Sequence, residues 1–165
     1  YVLLLGSAVS CLALGLATSA FRDGDVESLA ELDPGALEAP AALAPNAQVM
    51  AWLGRVESEK CFVSVLTLGE LRKGVLKLGP SRQRERLSHW LDDTLAQWFG
   101  ERVITIDQAV CTHWAELIAA AGRPLPAIDS LLAASAVAHD LVIATRNVRD
   151  FELPGVEVIN PWDFA

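Results

Sequence analysis

Four side chains able to hold a cation or to bind through oxygen are spread along this sequence: Glu70, Asp129, Asn147 and Asp150. Asp129 stands out by its setting. It is the only ionisable residue between Leu125 and Val137, in a run (Ile128, Leu131, Leu132, Ala133, Ala134, Ala136, Val137) that is apolar around most of a helix. Such a helix is expected to be buried. A carboxylate inside it is costly unless it is protonated, paired or bound to a cation. Its place at the helix start also allows an ordinary role, the capping of free amide groups.

The other acids carry ordinary readings of their own. Glu70 is read into the first turn of its helix, where an acid suits the helix dipole, while Gly74 one turn on leaves the surface beside it open. Asp150 shares a loop with Arg146 and Arg149, and an ion pair there is weak if exposed. Asp107 follows a strand and precedes a helix, so an N-cap explains it and no chemistry is assigned to it.

Bringing remote acids together requires a particular order of elements. Asn46 to Glu57 carries Val49, Trp52, Leu53 and Val56 at helical spacing, with Asn46 placed to cap. Cys61 to Leu66 is a short β-rich run, followed by Leu68, Leu71, Val75 and Leu78 at helical intervals and then by Gly79 and Pro80 as a stop. The pattern predicts a helix over 82–99, a strand over 102–107 and a helix over 109–121. The buried helix from Leu125, a strand from Leu141 to Thr145 and a last strand from Val156 to Ile159 follow. Strands rich in Val, Ile and Leu that alternate with helices imply an α/β fold with a mainly parallel sheet covered on both faces. In such sheets a ligand site lies beyond the carboxyl ends of the strands. Glu70, Asp129, Asn147 and Asp150 all gather there. Converging carboxylates repel one another, and a divalent cation is the usual resolution; an oxygen-only donor set favours Mg²⁺ or Mn²⁺ over zinc.

Composition narrows the alternatives. A chain of 165 residues with 52% apolar content suits one domain with a full core and argues against disorder. Cys11, Cys61 and Cys111 form neither a zinc motif nor a disulfide framework, which points to a reducing compartment. The net charge of −8 is unevenly spread, because the first 45 residues hold six acids against Arg22 alone. By contrast, Arg72, Lys73, Lys77, Arg82, Arg84 and Arg86 crowd one stretch with only Glu85 opposing. That stretch is either a solvated helix face or a place to hold a phosphate backbone. Residues 1–21 are uncharged and read as a strand plus helix, a signal peptide or a marginal span. The membrane readings lack a basic leader and an unbroken apolar run of about 20 residues. Residues 22–45 read as an acidic, Ala- and Pro-rich linker or insertion, and residues 46–165 as the main domain.

Four motifs occur in order: Thr67-Leu-Gly-Glu70-Leu-Arg-Lys-Gly, Pro124-Leu-Pro-Ala-Ile-Asp129, Ala144-Thr-Arg-Asn147-Val-Arg-Asp150-Phe and Val158-Ile-Asn-Pro-Trp162. Over about residues 46 to 165 the sequence resembles the PIN-domain ribonuclease toxins of VapBC-type toxin–antitoxin pairs. The resemblance implies a three-layer α/β/α sandwich, with residues 1–21 as its first strand and helix, and an acidic cluster that binds Mg²⁺ or Mn²⁺. It implies hydrolysis of RNA phosphodiesters in the cytoplasm, homodimers, and a VapB-type antitoxin that occludes the site. Glu70 and Asp129 match the second and third acids of that cluster, and the fourth falls on Asn147 with Asp150 nearby. Glu70, Asp129 and Asp150 are then the candidate metal ligands, and Arg146, Arg72 and Lys73 the candidate RNA-binding cations. The first acid departs from the pattern: Leu5 or Gly6 stands where the family has an aspartate. Asp23 and Asp25 are read as linker residues rather than as its replacement.

Overall fold

A computed structural model of the chain describes residues 1–4 and 46–165; the expectations for residues 5–45, Asp23 and Asp25 included, lie outside the described residues. Among the described residues five parallel strands form one sheet: β1 (Val2–Leu4), β2 (Cys61–Ser64), β3 (Val103–Ile104), β4 (Val142–Ala144) and β5 (Val158–Ile159). Their order across the sheet is β3, β2, β1, β4, β5. β1 is therefore central, with Leu3 level with Phe62 on one side and Ile143 on the other.

Helices cover both faces, in a three-layer α/β/α sandwich. They are α1 (Ala47–Leu53), α2 (Val65–Leu76), α3 (Arg82–His89), a π-helical turn (Trp90–Leu95), α4 (Ala96–Phe99), α5 (Gln108–Ala121) and α6 (Ala127–Ala138). Strand side chains alternate between faces and so feed two cores. Leu3, Ile104 and Ile143 meet Val110 and Leu117 of α5 and Leu132, Ala133 and Ala136 of α6. Cys61, Val63 and Ala144 meet Trp52 of α1, Leu91 and Leu95 of the π-turn and Phe99 of α4.

Local rules explain most boundaries. Asn46 caps α1 by accepting from the Gln48 and Val49 amides, and Asp107 caps α5 by accepting from Val110 at 2.9 Å. α5 ends at Gly122, whose φ of +63° is the left-handed conformation that glycine adopts without strain. The strands expected over 102–107 and 156–159 shorten to Val103–Ile104 and Val158–Ile159, and the helix read over 46–57 to Ala47–Leu53; three further expectations need correction. Strand β2 stops at Ser64 rather than continuing to Leu66, because the Ser64 side chain accepts from the Leu66 amide and starts α2. That helix ends at Leu76, with Lys77 in helical conformation at its cap, before the Gly79 and Pro80 stop. The single helix expected over 82–99 is interrupted by the π-turn, which keeps Leu91 and Leu95 buried in the same core as Phe99. Among the described residues no helix is long and apolar enough to cross a membrane.

Candidate active site

The carboxyl ends of β2 and β4 feed directly into segments that bear Glu70 and Asn147 with Asp150, and α6, which leads into β4, bears Asp129 at its start. Glu70 lies in the second turn of α2, not the first, so the helix dipole explains it less well than the sequence suggested. A Cβ added at Gly74 would meet nothing within 4 Å, so the surface one turn on from Glu70 is open. Both Glu70 oxygens accept from Lys73 Nζ, at 2.8 and 2.7 Å. Thr67, one turn before Glu70, is buried, and its hydroxyl is the one buried side-chain polar atom among the described residues without a hydrogen-bond partner.

Asp129 sits in the first turn of α6, half-buried. Pro126 occupies the cap position with no side-chain capping bond, and Asp129 makes no hydrogen bond among the described residues. The capping role is not what places it there. Its carboxyl is pushed above the ordinary carboxylate range by burial first, then by the charge of Asp150, then by that of Glu70. The charges of two acids on other elements thus reach Asp129 at this end of the sheet. The start of α6 is braced by a buried chain: Trp114 Nε1 of α5 donates to Ser130 Oγ at 2.9 Å, and Ser130 Oγ donates to the Ala127 carbonyl at 3.0 Å.

Beyond β4, the Asn147 amide donates to Thr145 Oγ1 at 3.1 Å and turns the chain into a short 3₁₀ helix, Val148–Phe151. There the Asn147 side-chain amide donates to an Asp150 oxygen. Asn147 therefore orients Asp150, and neither Arg146 nor Arg149 pairs with it among the described residues. The candidate cations differ in availability. Arg72 is bound to Asp92 of the π-turn and Lys73 to Glu70, whereas Arg146 has no carboxylate partner among the described residues and lies 6.0 Å over the Trp162 ring.

The acids are neighbours without being convergent. Among the described residues no three His, Cys, Asp or Glu side chains could share one metal ion. β1 ends at Leu4, in the middle of the sheet and level with Val63 and Ala144, and the next residues in sequence, Leu5 to Val9, carry no carboxylate. A groove of about 620 Å³ between α2 and the π-turn, flanked by Leu68, Leu76, Leu91 and Lys77, includes none of Glu70, Asp129 or Asp150. It is a separate feature of the surface.

The sequence pattern described as the PIN domain matches residues 41–154. Plasmid stability protein StbB of Pseudomonas syringae pv. tomato is 33% identical over 135 residues, spanning 80% of this chain and 97% of that protein. Ribonuclease VapC4 of Mycobacterium tuberculosis is 46% identical over 101 residues, spanning 59% of this chain and 74% of its own length. The chain belongs to the PIN-domain family, among its VapC-type toxins. The crystal structure of FitAcB from Neisseria gonorrhoeae has the same fold, with a TM-score of 0.76 and 27% identity, covering 99% of this chain and 100% of that chain.

Two features of this PIN domain escaped the sequence reading. The Trp114–Ser130 brace joins residues on different helices, and Trp114 reads simply as an apolar helix position. Trp162 stood inside a quoted motif, Asn160-Pro-Trp162, yet nothing in sequence shows that it meets Arg146.

Proposed function

We propose that this PIN domain is a Mg²⁺- or Mn²⁺-dependent endoribonuclease toxin that hydrolyses RNA phosphodiesters at the cluster of Glu70, Asp129, Asn147 and Asp150. The observation that carries the reading is that Glu70 on α2 after β2, Asp129 at the start of α6 and Asp150 in the 3₁₀ turn after β4 lie at the carboxyl end of one parallel sheet. A hard divalent cation fits this all-oxygen donor set, and Mg²⁺ commonly keeps several waters and takes only one or two carboxylates, so three convergent acids are not required. When bound, such a cation would lower the pKa of a coordinated water and offset charge on phosphoryl oxygens.

The residues of the chain divide the remaining work. Asp129 and Glu70 would hold the cation, directly or through water, with Lys73 competing for Glu70. Asn147 keeps the Asp150 carboxylate turned toward the cluster. Arg146 holds a phosphate of the substrate, with Arg72 and Lys73 contributing once freed from Asp92 and Glu70. The ribonuclease name of the relative VapC4 supports this activity. The same family reading extends to a homodimer, a VapB-type antitoxin that covers the site, and a cytoplasmic location. Purified protein is expected to cut RNA with Mg²⁺ or Mn²⁺ and to lose that activity with EDTA, Glu70→Gln or Asp129→Asn. Absence of cleavage on any RNA with either metal would overturn the reading.

A second reading has its own support: a PIN domain that keeps the fold and the antitoxin surface but does not cleave. It rests on Lys73 occupying Glu70 and on the absence of a carboxylate from Leu5 to Val9. Calorimetric titration with Mg²⁺ separates the two, because only the active form is expected to bind the ion measurably.

A further inference from the structure

Resting on the ribonuclease reading, we infer that Trp162 is a positioning residue that holds the Arg146 guanidinium as a fixed clamp for a phosphate of single-stranded RNA beside the acidic cluster. Arg72 and Lys73 are already neutralised by Asp92 and Glu70. Arg146, exposed like them, differs in having no salt bridge among the described residues and in lying with its guanidinium 6.0 Å from the centre of the Trp162 ring. All five of its N–H donors remain without a partner among the described residues.

The pair is built by the sheet. β4 and β5 run parallel with Ala144 level with Ile159, and the Thr145 amide donates to the Ile159 carbonyl at 3.0 Å. Arg146 and Trp162 follow these strands by two and three residues, so both leave the same sheet edge side by side. Neither end is loose. The Thr145 hydroxyl fixes the turn after Arg146, and Asn160 Oδ1 accepts from the Trp162 amide at 3.1 Å while Pro161 is buried. Asn147, next to Arg146, holds Asp150, whose charge reaches Asp129. Arg146 is thereby adjacent in sequence to the residue that holds the Asp150 carboxylate.

Chemistry favours a phosphate as the occupant. A guanidinium offers a planar fork that matches two phosphate oxygens, and an aromatic face beneath it limits its rotamers without using its donors. Trp162 thus contributes by pre-ordering the fork rather than by touching RNA.

The test is a double-mutant cycle on the full chain, read by fluorescence anisotropy of a short labelled single-stranded RNA of mixed sequence, in EDTA so that nothing is cut. Arg146→Ala is expected to weaken binding about tenfold and to reduce the salt slope by about one. Trp162→Leu is expected to weaken it about threefold, with Trp162→Phe recovering most of the loss. In the Arg146→Ala background, Trp162→Leu is expected to change nothing further. Equal losses from Trp162→Leu in both backgrounds, or unchanged binding by Arg146→Ala, would overturn the clamp while leaving the ribonuclease reading intact. Failure of the unmodified chain to bind or cut RNA would overturn both. Thermal melting of each variant separates lost binding from lost fold.

Discussion

Lys73 Nζ sits 2.8 and 2.7 Å from the two carboxylate oxygens of Glu70, one helical turn away on α2. A lysine in this position competes with any cation for the same acid. Both side chains are about half exposed, so the pair adds little to stability. Lys73→Ala is expected to tighten Mg²⁺ or Mn²⁺ binding in calorimetry while moving folding stability by no more than about 0.5 kcal/mol. Weaker metal binding by this variant would mean that Lys73 supports the site instead of masking it.

Asp129 yields a pH effect whose sign follows from its raised carboxyl pKa. The folded state binds the Asp129 proton more tightly than the unfolded chain does, so stability falls as pH rises from the ordinary carboxylate range through the folded pKa. Above that point the deficit is constant. Asp129→Asn is therefore expected to raise the melting temperature at neutral pH, and the difference should vanish in acid below the ordinary carboxylate pKa. A variant that melts lower than the parent at pH 7 would show that Asp129 is paired in solution.

The brace between α5 and α6 makes a prediction about stability with a built-in comparison. Trp114→Phe removes the donor and leaves Ser130 bonded to the Ala127 carbonyl, at a cost of about 1 kcal/mol. Ser130→Ala strands the indole N–H in a part-buried place, at about 1–3 kcal/mol. Urea denaturation is expected to rank Ser130→Ala as the more damaging, and the reverse order would mean that the ring's packing, not its hydrogen bond, holds α6.

Supplying the acid that the family pattern puts near the end of the first strand is the direct probe of a weakened site. Leu5→Asp and Gly6→Asp, made separately because the register of the resemblance allows either, are expected to include one variant with higher Mg²⁺ affinity than the parent. If both bind the ion no better, the missing carboxylate is not what limits the site.

The sequence was most legible where local chemistry and burial agree. The period of α6 announced a buried helix, Asn46 and Asp107 announced their caps, and the alternation of strands with helices announced the parallel sheet. Strand ends were less legible, because in β2 the hydroxyl of Ser64 outcompetes the β-forming run Val65 and Leu66 for the next turn. A π-turn leaves no trace in apolar periodicity, since Leu91, Leu95 and Phe99 fit a regular helix equally well. For the candidate site, topology alone assembled the acids, but which partners they hold depends on side-chain reach. Neither Lys73 on Glu70 nor Trp162 under Arg146 follows from spacing.

The central place of β1 also governs how the chain can fold. Val2 is level with Cys61 on one side and with Val142 on the other, so the first strand must find partners across very long separations. Such contacts make folding slow and leave unpaired strand edges exposed until they form. A ribosome-bound chain that stops before β4 keeps one edge of its innermost strand open, and protease digestion of stalled chains is expected to show protection of that strand only after Ala144 has emerged. The middle of the sheet can thus close only once β4 has been made.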